Sequence, residues 1–324
     1  MLGSVPMRLL AIGWIVGAAC GQPAGTNNHD PIDARVTQGS DASLDGHPPP
    51  GGDGGGPYRT SLGVCWTDAT CPRVLAVAHG GAWDAATIPY DSNAALAAAY
   101  ADGDDGVKID VRVTADNVPV IAHSSPLQIY ESLDCANKKI EEMTAAQVTA
   151  CHRFPSSTET FQRLDDVLAY IHGKMVVQLC VKLTSDFART IALVHTLGAE
   201  DYAFIEINAG DFETLGATLP GGDTVWFLVN VASTLGEVDT LLALHNPRAF
   251  MYEIDPGVDI GTIVPDRLHP AGVRAFIYDS AAAPSESQLE AHYHAGFDVV
   301  SSQSGTNGVQ ARVTVNSAHG ITPP

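Results

Sequence analysis

Eight short runs rich in Val, Ile, Leu and Phe, alternating with polar or amphipathic stretches, constrain this chain more than any other feature. The runs are Arg73–His79, Val107–Arg112, Met175–Leu183, Tyr202–Asn208, Thr224–Asn230, Ala249–Asp255, Val273–Tyr278 and Asp298–Ser302. Helical spacing occupies Asn93–Ala101, Leu164–His172, Ser185–Leu197, Leu235–His245 and Ser285–Ala295 between them. A strand that is apolar on both faces must be covered on both faces. Parallel strands joined by helical crossovers meet that demand. Eight such units in about 250 residues predict an α/β protein folded as a closed (β/α)8 TIM barrel. The alternative is an open doubly wound sheet. Its dinucleotide-binding form is disfavoured because no Gly-x-Gly-x-x-Gly turn follows the first run.

A barrel places its chemistry at the C-terminal ends of its strands. Polar residues gather there. His79 ends the first run, Lys108 and Asp110 share one face of the second, and His123 lies in the loop that follows. Gln178, Cys180 and Lys182 share a face of the third run, and Glu206 and Asn208 share one of the fourth. Asn230, Glu253, Asp255, Tyr278 and Ser302 end later runs. Buried strands carry polar groups at a cost unless those groups are paired or used, so the pattern predicts a polar pocket. Trp83 and Tyr90 are candidates for its mouth, and loop packing accounts for them equally well.

The N-terminus reads as an export signal. Met1–Arg8 holds one charge, Arg8, and Leu9–Ala19 is an apolar run too short to span a bilayer. It ends in Gly17-Ala18-Ala19-Cys20, which resembles the lipobox of bacterial lipoproteins and implies lipidation of Cys20 as a membrane anchor. Residues 21–57 are rich in Gly, Pro and Asp and read as a flexible tether. The expected division is signal 1–20, tether 21–57 and barrel 58–324. The protein is then exported, either as a cell-envelope lipoprotein or in secreted form. The balance of 17 Lys and Arg against 37 Asp and Glu, a net charge of −20, argues against nucleic acid as a partner. Small anions are not excluded, because two or three local cations suffice for them. Six cysteines fit an oxidising compartment. Local pairs Cys65–Cys71 and Cys135–Cys151 are expected, with other pairings open, and Cys180 is read as an inert buried thiol.

Within this frame the motifs resemble the glycerophosphodiester phosphodiesterase family, of the phosphatidylinositol-phospholipase-C-like barrel superfamily. The family opens with His-Arg-Gly after its first strand, then Pro-Glu-Asn-Thr, a strand with Glu-x-Asp, and Gly-x-Pro-Val-x-x-His-Asp. This chain has His79-Gly80-Gly81, Pro89-Tyr90-Asp91-Ser92, Lys108-Ile109-Asp110 and Asn117-Val118-Pro119-Val120-Ile121-Ala122-His123-Ser124. Ile140–Val148 and Phe161–Ile171 resemble the family's next helices, Val177–Lys182 its Ile-Glu-x-Lys strand, and Gly296–Ser302 its last strand. The resemblance implies hydrolysis of a glycerophosphodiester or related phospholipid-derived diester. His79 and His123 would be its acid/base or nucleophilic pair, and Lys182 its phosphate-binding lysine. It also implies a divalent cation, Ca or Mg, with Asp110 as a ligand.

Four of the departures from the family pattern fall on residues that carry its chemistry. Its arginine is Gly80, its first metal-binding glutamate is Lys108, its later one is Cys180, and the aspartate after the second histidine is Ser124. Asp110 alone is a poor site for a hard cation, which takes several oxygen ligands. Glu206 or Glu253 would have to complete it. Two readings follow. In one, the enzyme works without metal, and Lys108 and Lys182 clamp the phosphate as a second-strand arginine does in bacterial phosphatidylinositol-specific phospholipase C. In the other, a catalytically degenerate family member serves as an extracytoplasmic ligand-binding lipoprotein. A purely structural lipoprotein would lack a convergent polar pocket.

Overall fold

The structure, a computed structural model, describes residues 61–63, 65–213, 223–231, 234–254, 260–303 and 305–321. The signal-like segment with Cys20, the tether and Asp255 lie outside the described residues. All eight expected runs form strands, and one further strand joins them. They are β1 Leu75–His79, β2 Gly106–Val113, β3 Pro119–Ile121, β4 Val176–Val181, β5 Ala203–Asn208, β6 Trp226–Val231, β7 Ala249–Ile254, β8 Arg274–Asp279 and β9 Val299–Ser302. The order β1-β9-β8-β7-β6-β5-β4-β2 is parallel throughout, and β1 pairs with β2 to close the ring. This is the (β/α)8 barrel. β3 stands outside the ring, antiparallel to the far end of β2, where Val111 pairs with Ile121.

Alternation sorts the strand residues into two cores. Outward residues such as Val107, Ile109, Leu179 and Ile205 pack against Leu164, Leu168, Phe187 and Ile191 of the helices Leu164–Ile171 and Phe187–Thr196. Inward residues Leu75, Val77, Val176, Phe204, Leu228, Met251, Phe276 and Val299 fill the lower barrel, with Leu62 and Trp66 against them. Trp66 closes the N-terminal end of the barrel. A Cβ on Gly106, the first residue of β2, would stand 3.0 Å from its ring. The upper interior is therefore left to the polar strand ends.

The helices carry side-chain caps and glycine stops at their ends. Ser92 caps Asn93–Asp102 by accepting from the Ala95 N–H, and Gly103 ends it at φ 95°. Ser285 forms a capping box with Gln288 at the start of Glu286–His294. One long helix, Gly305–Ala318, has no counterpart in the sequence reading. Its buried stripe keeps helical spacing but includes Gly305, Gly308, Arg312 and Asn316, so an apolar pattern is lacking. Those polar groups have a structural task. Arg312 pairs with fully buried Asp105 at 2.7 Å, and Asp105 also accepts the Ala76 N–H at 2.9 Å. The final helix is thereby tied across the β1–β2 seam that closes the ring.

Cys65–Cys71 and Cys135–Cys151 are both bonded, as their spacing predicts. Cys180 differs from expectation: it too is in a disulfide, so it is not a free thiol.

Candidate active site

The mouth of the barrel is organised around Asp110. This residue is fully buried, and its Oδ1 takes two ammonium groups, Lys108 Nζ at 2.5 Å and Lys182 Nζ at 2.8 Å. Its Oδ2 accepts the Tyr90 hydroxyl at 2.9 Å. Lys108 and Asp110 meet because residues two apart on a strand share a face; Lys182 follows β4, the neighbour of β2. Burial pushes the Asp110 carboxyl up, but Lys108 and Lys182 outweigh it and hold the group well below the usual carboxylate range. Burial pulls Lys108 down, and the carboxylates of Asp110, Asp91 and Glu206 outweigh that and raise it. For Lys182 burial wins, Lys108 adds repulsion, and the pKa falls. Two cations on one anion leave the cluster with an excess positive charge.

The two histidines flank Tyr90. His79, at the end of β1, stacks on Tyr278 with ring centroids 4.2 Å apart, and its Nδ1 lies 3.4 Å from the Tyr90 hydroxyl. Burial, and then the charge of Lys108, hold its pKa well below 6.5, so the ring is neutral at neutral pH. His123 follows β3 and is fixed from both sides. Its carbonyl accepts Arg112 Nε and Nη2 at 3.0 and 2.8 Å, and its N–H donates to Glu131 Oε1 at 3.1 Å. Its Nδ1 lies 3.1 Å from Ser124 Oγ and 3.3 Å from the Tyr130 hydroxyl. Ring centroids put Tyr90 5.7 Å from His79 and 5.9 Å from His123.

Tyr90 is the central residue that the sequence left ambiguous. Its hydroxyl touches Asp110, Lys108 and His79, while its ring covers Gly80. A Cβ on Gly80 would stand 2.0 Å from that ring, and the residue has φ +73°. No arginine fits there while Tyr90 keeps its place. The loop is held by Arg153, whose Nη1 donates to the Tyr90 carbonyl at 3.0 Å, and by Asp91, whose Oδ2 accepts the Asp110 N–H at 3.2 Å. The other oxygen of Asp91 is buried without a hydrogen-bond partner. Burial, and then Asp110, push that carboxyl well up.

Other strand ends fall where alternation puts them. Gln178 donates to Glu206 Oε2 at 2.7 Å inside the barrel. Glu253 is half-buried in the same mouth, and burial and then Glu206 push its carboxyl well up. Asn208 is occupied structurally, as the cap that accepts the Asp211 N–H at 2.8 Å. Ser302 departs from the pocket reading. Val299 lies in the inner core and Val300 in the outer one, so Ser301 faces in and Ser302 faces Gly308 of the last helix.

The donor chemistry does not suit a divalent cation at Asp110. Its Oδ1 carries two ammonium groups where a hard cation needs further oxygens. Among the described residues, no group of three His, Cys, Asp or Glu side chains could hold a metal ion.

Residues 84–190 match the sequence model of the Glycerophosphoryl diester phosphodiesterase family. Solved structures share the barrel. A glycerophosphoryl diester phosphodiesterase of Parabacteroides distasonis is 19% identical, with TM-score 0.61, covering 78% of this chain and 90% of its own. A glycerophosphodiester phosphodiesterase of Agrobacterium tumefaciens is 18% identical, with TM-score 0.57, covering 73% and 99%. An Oleispira antarctica phosphodiesterase, solved with the product sn-glycerol-3-phosphate, is 18% identical, with TM-score 0.54, covering 74% and 96%. No curated protein sequence matches the chain. The chain is thus similar to the glycerophosphoryl diester phosphodiesterases in sequence over residues 84–190, and it shares the barrel fold of the solved structures.

Proposed function

We propose that the protein hydrolyses glycerophosphodiesters or related phospholipid-derived diesters, with Lys108 and Lys182 neutralising the phosphate where relatives would place a cation. One observation carries this reading: two ammonium groups converge on a buried carboxylate between two histidines at the barrel mouth. A phosphodiester resists attack because its oxygens repel nucleophiles, so charge neutralisation and proton delivery are the main levers. The phosphate oxygens would lie on the ammonium groups, with Asp110 fixing both lysines. Neutral His79 would take a proton from the attacking water as the new P–O bond forms. His123 would give a proton to the leaving alkoxide as the old bond breaks. The products are an alcohol and a phosphomonoester, and the histidines exchange protons with solvent to reset.

The disulfides Cys65–Cys71 and Cys135–Cys151 support an oxidising, extracytoplasmic location, in line with the export signal read at residues 1–20. One observation favours binding without turnover: the Tyr90 hydroxyl already lies on Asp110 and Lys108, where a phosphate oxygen would compete with it. Alcohol release from a panel of diesters, with calcium, with magnesium and with EDTA, separates the readings. Activity that survives EDTA and disappears in both His123→Ala and Lys108→Met supports the lysine clamp. Activity that needs metal overturns it. Diester binding with no release from a folded sample favours the binding reading.

A further inference from the structure

The loop after β3 fixes the backbone of His123 and then takes hold of its ring. Glu131 is buried and accepts the N–H groups of His123 and Ser124 on Oε1, each at 3.1 Å, and that of Gln128 on Oε2 at 3.2 Å. The Gln128 carbonyl accepts the N–H groups of Glu131 and Ser132, both at 3.0 Å, which closes a turn that brings Tyr130 back to His123. The turn is tied down beyond Tyr130. The Phe154 N–H donates to the Glu131 carbonyl at 2.8 Å, and Cys135, bonded to Cys151, donates its N–H to Ser132 Oγ at 3.2 Å. Two hydroxyls then meet one nitrogen. Ser124 Oγ lies 3.1 Å and the Tyr130 hydroxyl 3.3 Å from His123 Nδ1, and the two oxygens are 3.0 Å apart. Ser124 stands where the family pattern has aspartate, and Tyr130 lies outside its motifs.

We propose that Ser124 and Tyr130 accept the Nδ1 proton of His123, so that Nδ1 keeps its proton and Nε2 is the nitrogen that gives one up. Tyr130 is then a positioning residue. The inference rests on the phosphodiesterase reading, in which His123 passes between protonated and neutral forms. The direction of the hydrogen bonds follows from that cycle. An imidazolium has N–H donors on both nitrogens, so a hydroxyl that donated to Nδ1 would have to turn away each time the ring was protonated. A hydroxyl that accepts can stay in place in both states. One hydroxyl proton lies between the two oxygens, and each oxygen still has a lone pair to offer Nδ1–H. A carboxylate beside the ring would also fix the tautomer, but its charge would favour the imidazolium. Hydroxyls orient the ring without that charge, which suits a group that must release its proton.

The test is 15N NMR of the full chain labelled at its 12 histidines, with the ring unprotonated and the His123 signals identified by their loss in His123→Gln. The native protein is expected to show the Nδ1–H tautomer. The double variant Ser124→Ala/Tyr130→Phe is expected to shift toward Nε2–H, the form that solvated histidine prefers. On a glycerophosphodiester the double variant should lose about tenfold in kcat with KM within about twofold, because the phosphate contacts are untouched. Ser124→Asp in the Tyr130→Phe background supplies an acceptor again and should restore the native tautomer and most of kcat. An Nε2–H tautomer in the native protein overturns the inference. So does a double variant that keeps the native tautomer or the native kcat, and so does rescue of neither by Ser124→Asp. If the double variant does not fold, Tyr130→Phe is read in its place by the same signals. If the native protein turns over no diester, the phosphodiesterase reading fails, and the tautomer spectra decide the inference by themselves.

Discussion

Asp110→Asn removes one charge and almost no volume, so it isolates what the carboxylate does for the two lysines. In the native site Oδ1 accepts Lys108 at 2.5 Å and Lys182 at 2.8 Å, and Oδ2 accepts Tyr90 at 2.9 Å. The amide keeps one acceptor for three donors. Breaking a buried ion pair by removing one partner costs about 3–5 kcal/mol, because the other charge stays buried. Here two charges are stranded next to each other, which puts the expected loss toward about 5 kcal/mol at pH 7. Part of it must be relieved by deprotonation. Lys182 is the group to yield first, since its pKa is lowered even with Asp110 present. A lysine whose folded pKa lies below its unfolded value, about 10.4, destabilises the fold at low pH. That penalty fades as pH rises through the folded pKa toward the unfolded one. Urea unfolding of both proteins at pH 7 and pH 9.5 should therefore show a deficit that shrinks at the higher pH. A loss below about 1 kcal/mol, or one that does not change with pH, would refute the account of Asp110 as the anchor of both ammonium groups.

Gly80→Ala should cost about 2–4 kcal/mol, combining left-handed strain with displacement of the Tyr90 ring. In a Tyr90→Ala background, only the strain of about 1 kcal/mol should remain, a coupling that a double-mutant cycle measures. Asp91→Asn should stabilise the protein at pH 7. The raised folded pKa of Asp91 is a cost that appears as pH climbs above the unfolded value of about 3.9, so thermal melts should show the gain vanish near pH 4. His79 acts when unprotonated, and its pKa lies well below 6.5, so the acid limb of kcat/KM should fall below that value. A limb at 6.5 or above would show that another group is being titrated.

The fold was legible because hydrophobic burial writes itself along the chain with the period of each element. Runs such as Met175–Leu183 and Val107–Arg112 have few polar residues, and those lie on one face at the end that became the mouth. Reading failed where a different force sets the pattern. The last helix is held by Arg312 to Asp105 and by Asn316 to Val74, so its inner stripe does not look apolar. Ser302 was placed in the pocket because it ends a run, yet alternation from Val299 turns Ser301 inward instead. His79, His123, Lys108, Lys182 and Asp110 come together as the motifs imply. The role of Tyr90 was hidden because residues 84–92 have no periodicity. Its position depends on contacts from afar, the Arg153 guanidinium above all. The signal that could have found it is Gly80, a residue without a side chain where relatives carry a large one.

Set singly against the family pattern that the sequence resembles, these positions look like gaps: Gly80 stands where the pattern has arginine, Lys108 where it has a metal glutamate, and Tyr90 where its Pro-Glu-Asn-Thr motif has glutamate. In the structure they depend on one another. Tyr90 can cover Gly80 only because that position has no Cβ. The Tyr90 hydroxyl has a buried acceptor only because Asp110 is retained. Lys108 can be buried as a cation only because Asp110 lies 2.5 Å away, and the same oxygen then carries Lys182. Reverting one position alone would create a defect. An arginine at 80 would meet the Tyr90 ring, and a glutamate at 108 would put a second carboxylate against Asp110 with Lys182 as the remaining ammonium on Oδ1. What the site shows is one carboxylate, two ammonium groups and a phenol whose hydrogen bonds close on each other, with two histidines on either side. Such mutual dependence means that these positions have to be substituted together rather than one at a time.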